Sequence, residues 1–200
     1  MVKVAVLVSG GGTNLQALLD AQDKGELGTA QITYVISNRK AAFALERAKN
    51  HNVETGVLSK VMQPDPVLYD QQLHEMLVSH DIDMIVLAGF LGILGEKVLE
   101  TYSNKIVNIH PALIPSFCGK GFYGLHVHEE VLKRGCKVTG ATAHLVTAGV
   151  DEGPILLQKA VDVLPGDTPE ILQKRVMEQA EWLLLPRAVK MLSEEIEHAE

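Results

Sequence analysis

The chain has 200 residues, of which 46% are hydrophobic and 22% charged, and a net charge of −7. A chain of this length buries roughly 70% of its unfolded surface, so it needs no disulfide or metal to fold. The negative charge argues against a broad nucleic-acid-binding surface. It does not exclude a small phosphate pocket, because backbone amides bind anions without formal charge.

Cysteine usage and hydropathy indicate the compartment. Cys118 and Cys136 have a spacing that matches no metal or redox motif, so we expect free thiols. The first residues lead directly into a strand pattern without a signal-peptide cleavage site. The most apolar later stretch, 84–94, is shorter than the ~20 residues that span a bilayer. We therefore expect a cytoplasmic protein that does not cross a membrane.

The predicted strands and helices alternate along the first half of the chain. Strands are expected at 4–8, 32–36, 53–58, 84–87, 106–109, 138–146 and 155–163. Helices are expected after the first strand to near residue 25, then at 41–50, 69–79 and about 128–133, with a last one of about two dozen residues from near 168. Such alternation is typical of βαβ units, and it predicts an α/β fold with a mostly parallel sheet. Residues 1–100 resemble a nucleotide-binding half that residues 101–200 complete.

A glycine-rich loop, Ser9-Gly10-Gly11-Gly12-Thr13-Asn14, lies between the first strand and the first helix. Glycines allow a ligand to approach the backbone, and a helix N-terminus presents unpaired N–H groups. The loop therefore predicts a site for a phosphate monoester. A tight turn without a ligand is one alternative. NADP is another, since Arg39 follows the second strand, although the last glycine of the dinucleotide motif is replaced by Leu15.

A second polar motif, Asn108-Ile109-His110-Pro111, closes the fifth predicted strand. Strand alternation places Asn108 and His110 on one face, and the carboxyl ends of parallel strands open onto the same crevice as the glycine loop. An amide that stabilises an oxyanion beside an imidazole that moves protons suits acyl chemistry. Asp151 lies on a loop that can reach His110, and we expect its charge to favour the imidazolium. The alternative is that Asn108 and His110 only satisfy backbone groups.

Two histidines near the start of the fourth predicted helix, His126 and His128, have the spacing of a possible metal pair. No third ligand is evident in the sequence. Their place at a helix start is the simpler interpretation, and we predict no metal.

Taken together, these motifs resemble the folate-dependent formyltransferases. The resemblance covers nearly the whole chain. The strand-end motif is typical of the wider formyltransferase family, and the glycine loop narrows the resemblance to the branch that acts on a ribonucleotide. The matching segments are VSGGGTNLQAL at 8–18, LAGF at 87–90, NIHPALIPSF at 108–117, GLH at 124–126, VTG at 138–140, AHLV at 143–146 and VDEGPI at 150–155.

The resemblance implies a single Rossmann-like formyltransferase domain over residues 1–200, with helices on both faces of a twisted, mostly parallel sheet. It also implies the reaction: the formyl group of 10-formyltetrahydrofolate, as co-substrate, moves to the amine of glycinamide ribonucleotide in purine biosynthesis. The expected partners are these two small molecules, with no nucleic acid, membrane or metal, and the chain is a monomer or a homodimer.

Residue roles follow from the resemblance. The catalytic set would be Asn108, His110 and Asp151, with His144 supporting Asp151 and Glu181 meeting the ribose or glycinamide end. The ribonucleotide phosphate would be held by Gly12, Thr13 and Asn14. The folate would lie against Phe90, Leu91, Gly92, Ile93, Leu94, Ala148, Gly149 and Val150. Hydrolysis of formyl-folate by water at the same site, and a non-catalytic nucleotide-binding module, are the alternatives.

Overall fold

A computed structural model describes residues 1–199 and contains all seven of the predicted strands. The strands form one sheet in the order β3-β2-β1-β4-β5-β6-β7, so the sheet is continuous through both halves of the chain. The first five strands are parallel to one another, whereas β6 is antiparallel to β5 and β7 is antiparallel to β6. The strand bounds are β1 Val2–Val8, β2 Ala30–Ser37, β3 Glu54–Val57, β4 Met84–Leu87, β5 Ile106–His110, β6 Val138–Leu145 and β7 Ile155–Asp162.

The helices differ from the prediction mainly at their starts. The third helix begins at Pro66, before the predicted residue 69, because the side chain of Asp65 caps the N–H groups of Val67 and Leu68. A short helix that was not predicted follows β4, and six residues are too few to show helical periodicity. The helices are α1 Thr13–Asp23, α2 Phe43–Asn50, α3 Pro66–Val78, α4 Glu96–Thr101, α5 Leu125–Lys133, α6 Pro169–Val176 and α7 Trp182–His198.

Residues 169–198 are helical throughout, as predicted, but a π-helical segment, Met177–Glu181, interrupts them between α6 and α7. Pro186 stands in the first turns of α7 and cannot donate the hydrogen bond that a helix residue at this position normally gives. π-segments widen a helix by one residue and are frequent at functional sites. This one ends at Glu181, which is buried against the glycine loop.

The sheet is covered on both faces, and strand alternation divides its side chains between two cores. Val4, Val6 and Val8 of β1 pack against α1, α2 and α7, whereas Ala5 and Leu7 pack against α3 and α4. Side chains that are buried on both faces explain the continuous apolar runs by which the parallel strands were recognised.

The antiparallel pairing of β5 with β6 fixes the strand-end motif. In this register Asn108 lies opposite His144, and His110 lies opposite Thr142. Directly opposed side chains share a face of the sheet and lie close together. The pairing therefore brings a second imidazole to the face on which Asn108 and His110 lie.

No helix within residues 1–199 is long and apolar enough to span a membrane.

Replacing Leu185 with alanine is expected to lower the free energy of unfolding by about 2–5 kcal/mol, because this fully buried side chain of α7 leaves a cavity in the larger core. Leu183→Ala is the matched control, since the side chain of Leu183 is 48% exposed, and we expect a change of about 0.5 kcal/mol or less. Chemical denaturation measures both. Equal destabilisation by the two substitutions would contradict this packing of α7.

Candidate active site

Four polar side chains meet where β5 and β6 end. The amide Nδ2 of Asn108 lies 3.0 Å from Nε2 of His144 and 3.5 Å from Oδ1 of Asp151. The other carboxylate oxygen of Asp151, Oδ2, lies 3.5 Å from Nδ1 of His110. The structure thus brings together Asn108, His110, Asp151 and His144, the four residues that the resemblance assigns to catalysis.

The loop between β6 and β7 holds Asp151 in a left-handed backbone conformation, with φ of 58°. Asp151 Oδ2 also accepts a hydrogen bond from the backbone N–H of Gly119, at 3.0 Å. At the base of the loop the backbone of Gly153 packs so tightly on the carbonyl of Leu145 that a Cβ would clash, at 1.8 Å from that oxygen. The loop is therefore fixed at both Asp151 and Gly153, which directs the carboxylate at His110.

The ring of His110 is held in one orientation. Its Nε2 lies 2.8 Å from the carbonyl oxygen of Phe117, which only accepts, so Nε2 carries the hydrogen. Phe117 itself has a φ of 51°, which is uncommon for a bulky residue. Two residues in the left-handed region therefore contact the two nitrogens of His110, and such strain tends to collect at functional sites. In the neutral ring, Nδ1 is left with a lone pair that faces Asp151.

Two opposing effects set the pKa of His110. Burial lowers it below its ordinary value, although the charge of Asp151 and the carbonyl of Phe117 act to raise it. Asp151 therefore favours the imidazolium, as expected from the sequence, but burial outweighs its effect in the free chain. Desolvation of a ring that is 4% exposed outweighs the attraction of one carboxylate at 3.5 Å.

Asp151 is held as a carboxylate. Burial raises the pKa of Asp151, but the contact with His144, the N–H of Gly119 and the neighbouring His110 lower it by more, so the pKa falls below its usual value. Nδ1 of His144 lies 2.8 Å from the carbonyl of Leu145 and so carries a hydrogen. In the neutral ring Nε2 of His144 therefore accepts from Asn108, and this fixes the amide.

The glycine loop ends at the start of α1 in a geometry that requires glycine. Gly12 has a φ of 72°, and a Cβ there would lie 2.6 Å from the Cβ of Ala44 on α2. No side chain caps α1, and its first intrahelical hydrogen bond runs from the N–H of Gln16 to the carbonyl of Gly12. The N–H groups of the first turn, at Thr13 and Asn14, are therefore free of intrahelical partners and suit an anion.

Asn14 links this loop to the last helices. Its Nδ2 donates to Oε2 of Glu181 at 2.7 Å, and both side chains are buried. Burial raises the pKa of Glu181 to about 7, and the hydrogen bond from Asn14 lowers it only in part. The Nδ2 group of Asn14 therefore binds Glu181, while its buried Oδ1 has no hydrogen-bond partner within residues 1–199, and the backbone N–H of Asn14 remains for a phosphate.

The two segments expected to hold the folate face each other. Residues from both line a cavity of about 140 Å³ that also includes Asn108, His144 and Asp151. On the glycine-loop side, the buried hydroxyl of Ser9 accepts the backbone N–H of Leu91 at 2.8 Å. The lining residues from the two segments are Phe90, Gly92, Ile93, Leu94, Ala148, Gly149 and Val150.

A cavity of about 590 Å³ joins these parts. Asn14 and Glu181 line it from the α1 side, while Asn108, His110 and Asp151 line it from the strand ends. Thr13 does not line this cavity but a groove on the other side of the loop. Four further residues that line the cavity were not predicted from the sequence, because no sequence pattern marks a loop or helix residue as part of a cavity wall. These residues are Lys120, Tyr123, Gln173 and Met177.

The groove that Thr13 lines is larger, at about 630 Å³, and lies between α1 and α7. Its charged side chains include Lys24, Arg47 and Arg187 together with Asp20. None of the four side chains that meet at the ends of β5 and β6 reaches it, so we assign the chemistry to the cavity at the strand ends.

The two histidines considered as a metal pair do not converge. His126 is half-exposed, with Nδ1 3.3 Å from Oε2 of Glu129, whereas His128 is fully buried. Within residues 1–199, no group of three His, Cys, Asp or Glu side chains is placed to hold a metal ion.

The protonation of His110 is open to direct measurement. Because burial lowers its pKa, we expect the imidazole of His110 in the free chain to titrate below 6.5, measured by NMR with the His110→Gln variant to assign the resonance. A titration midpoint of 6.5 or above for His110 would contradict the dominance of burial over Asp151.

Comparison with known proteins identifies the family. Residues 2–189 match the formyl transferase family. The structure of glycinamide ribonucleotide transformylase 1 from Symbiobacterium toebii has 40% sequence identity and a TM-score of 0.91, over 98% of this chain and 89% of that one. Phosphoribosylglycinamide formyltransferase from Bacillus halodurans has 35% identity and a TM-score of 0.87, over 95% of this chain and 94% of that one.

A curated relative of greater length is the trifunctional purine biosynthetic protein adenosine-3 of Homo sapiens, which is 39% identical over 191 residues. The match covers 96% of this chain but 18% of the human protein, so the chain spans less than a fifth of that relative. The chloroplastic phosphoribosylglycinamide formyltransferase of Arabidopsis thaliana is 36% identical, over 88% of this chain and 61% of that protein. With a family match over nearly its whole length and this fold, the chain belongs to the formyl transferase family.

Proposed function

We propose that the chain transfers the formyl group of 10-formyltetrahydrofolate to the amine of glycinamide ribonucleotide, giving N-formylglycinamide ribonucleotide and tetrahydrofolate. The observation that carries this proposal is the single cavity into which Asn14 of the glycine loop and the trio Asn108, His110 and Asp151 all open. The names of the similar proteins, which are glycinamide ribonucleotide transformylases and phosphoribosylglycinamide formyltransferases, support the same substrate.

The ribonucleotide phosphate binds at the N-terminus of α1, between Gly12, Thr13 and Asn14. Backbone N–H groups and the positive end of the helix dipole stabilise the anion there without a lysine or arginine. Glu181 lies within hydrogen-bond distance of Asn14 and directs the ribose or glycinamide end. Because its pKa is about 7, Glu181 is part protonated near neutral pH and is able both to donate and to accept a hydrogen bond.

The folate binds between two segments, one from each half of the chain. The apolar wall from Phe90 to Leu94 packs against the pterin, while the loop from Ala148 to Val150 offers backbone N–H and carbonyl groups. A binding site of this kind combines an apolar surface with a few fixed polar groups. The single domain divides into a phosphate-binding half, 1–100, which also supplies the apolar wall, and a catalytic and folate-binding half, 101–200.

The chemical step is direct attack. The unprotonated amine of glycinamide forms a bond to the formyl carbon, and the carbonyl oxygen becomes an oxyanion. One hydrogen of the Asn108 amide is held by His144 at 3.0 Å. The second has only a long contact, of 3.5 Å, with Oδ1 of Asp151, and it turns from this contact to the oxyanion. One such donor contributes a factor of about 10²–10³ to the rate.

Proton transfer completes the reaction. The attacking nitrogen becomes cationic, and its proton moves to the lone pair on Nδ1 of His110, which Asp151 faces at 3.5 Å. The imidazolium is then stabilised by Asp151 and by the oxyanion. It gives the proton to N10 of the folate as the C–N10 bond breaks and the carbonyl re-forms. A positioned acid–base group contributes roughly 10²–10⁴ to the rate.

This scheme needs no covalent formyl-enzyme. The thiol nearest the site is Cys118, whose pKa is raised by burial and by the negative charge of Asp151 and Glu152. Thiolate is the nucleophilic form of cysteine, and these surroundings disfavour it. The neutral amine of the substrate is therefore the nucleophile.

In the alternative reaction, hydrolysis of formyl-folate, water is the acceptor. Water needs no phosphate site, so the glycine loop favours transfer to a ribonucleotide over hydrolysis. A non-catalytic NADP-binding module has Arg39 on the cavity wall in its favour but gives no role to Asp151. A cytoplasmic location and a monomeric or homodimeric state remain predictions, and the relative in Arabidopsis is named chloroplastic.

The acceptor dependence of turnover tests this function. We expect 10-formyltetrahydrofolate to be consumed, followed by ultraviolet absorbance, only when glycinamide ribonucleotide is present, because only its bound amine reaches the formyl carbon. In the same reactions the intact mass of the chain should stay unchanged.

Each other outcome identifies a rival. Consumption without the ribonucleotide would indicate a hydrolase, and a chain heavier by one formyl group would indicate a covalent route. Free glycinamide, which lacks the phosphate, is the matched control: rapid turnover with it would contradict the role of Gly12, Thr13 and Asn14.

A further inference from the structure

His128, the fourth residue of α5, is an imidazole for which the scheme above has no use. Its side chain is fully buried, and the residue lines the same cavity as His110 and Asp151. Within residues 1–199, neither of its ring nitrogens has a hydrogen-bond partner. Burial is complete here, yet the polar atoms of the ring are not used for packing or capping.

The two other buried histidines behave differently. Both nitrogens of His110 have partners or near partners, in Phe117 and Asp151, and those of His144 contact Leu145 and Asn108. Burying an unpaired polar group costs about 1–3 kcal/mol. A phenylalanine or leucine would fill this space without that cost. Packing alone therefore does not account for an imidazole at this position.

The neighbourhood of His128 indicates what the ring does. Burial lowers the pKa of His128 to about 4, and the proximity of His110 lowers it as well. At neutral pH a proton that enters the pair therefore resides on His110, beside Asp151. His128 stays neutral, with one N–H group and one lone pair that form a local dipole.

We propose that His128 is a positioning residue whose buried, unpaired imidazole stabilises the charged form of His110 while the proton is in transit. The inference rests on the proposed function, because it assigns His128 to the proton transfer of that reaction. A fixed dipole replaces part of the hydration that a buried imidazolium lacks, and it does so without solvent reorganisation. A side chain that contains only carbon and hydrogen supplies no such dipole.

Other charged groups border the same cavity and must stay unchanged in the test. Asp151 and His144 face His110 from β6 and the loop that follows it, and the pKa of His110 already reflects both. The remaining ionisable side chains on the cavity wall come from other elements: Lys120 and Tyr123 from the loop before α5, Arg39 from the loop after β2 and Glu181 from the π-helical segment.

The test compares His128→Phe, which keeps the ring volume, with His128→Gln, which keeps a donor and an acceptor. NMR titration of the free chain should show the pKa of His110 about one unit lower in His128→Phe, which is a tenfold smaller imidazolium population. We expect kcat to fall about tenfold, with KM for glycinamide ribonucleotide within about twofold. His128→Gln should recover most of both effects.

His74→Phe makes the same replacement on α3, outside the cavity, and should change neither quantity. An unchanged His110 titration in His128→Phe would overturn the inference, and so would a loss confined to KM, which indicates direct substrate contact. If thermal unfolding shows that the His128→Phe variant does not fold, His128→Met replaces it in the comparison with His128→Gln. Absence of transfer in the unmodified chain would refute the proposed function instead, while the titration would still test His128.

Discussion

The carboxylate of Asp151 is the constraint on which the site depends. One oxygen faces His144 and Asn108, and the other faces His110 and the backbone of Gly119. Because β5 and β6 pair antiparallel, His144 lies opposite Asn108, and the loop that follows β6 begins beside this pair and places Asp151 against both Asn108 and His110.

Burial determines how the charges in this site behave. The chain has a net charge of −7, yet burial lowers the pKa of His110 and raises that of Glu181 to about 7. Glu181 is therefore able to change protonation near neutral pH, whereas His110 is neutral in the free chain and ready to accept the proton of the attacking amine. Asp151 keeps its charge through its hydrogen bonds, so the cavity retains a fixed anion that stabilises the transient cation.

The sequence predicted the seven strands because apolar β-branched runs identify buried strands, and it predicted the set Asn108, His110 and Asp151 from a motif and a resemblance. It did not predict the π-helical segment, although Pro186 inside the last helix was a signal. The left-handed backbone of Phe117 had no signal at all, since a phenylalanine does not favour that conformation. The effect of Asp151 on the pKa of His110 was expected from the sequence, but the larger opposing effect of burial was not, because burial depends on the whole fold.

The central claim is that the charge of Asp151 makes proton transfer through His110 possible, and Asp151→Asn tests it directly. The amide keeps the size of the side chain and removes the charge. We predict that kcat of the Asp151→Asn variant falls by about 10²-fold or more. Its circular dichroism spectrum and its KM for glycinamide ribonucleotide should be little changed. Turnover at the rate of the unmodified chain would contradict it.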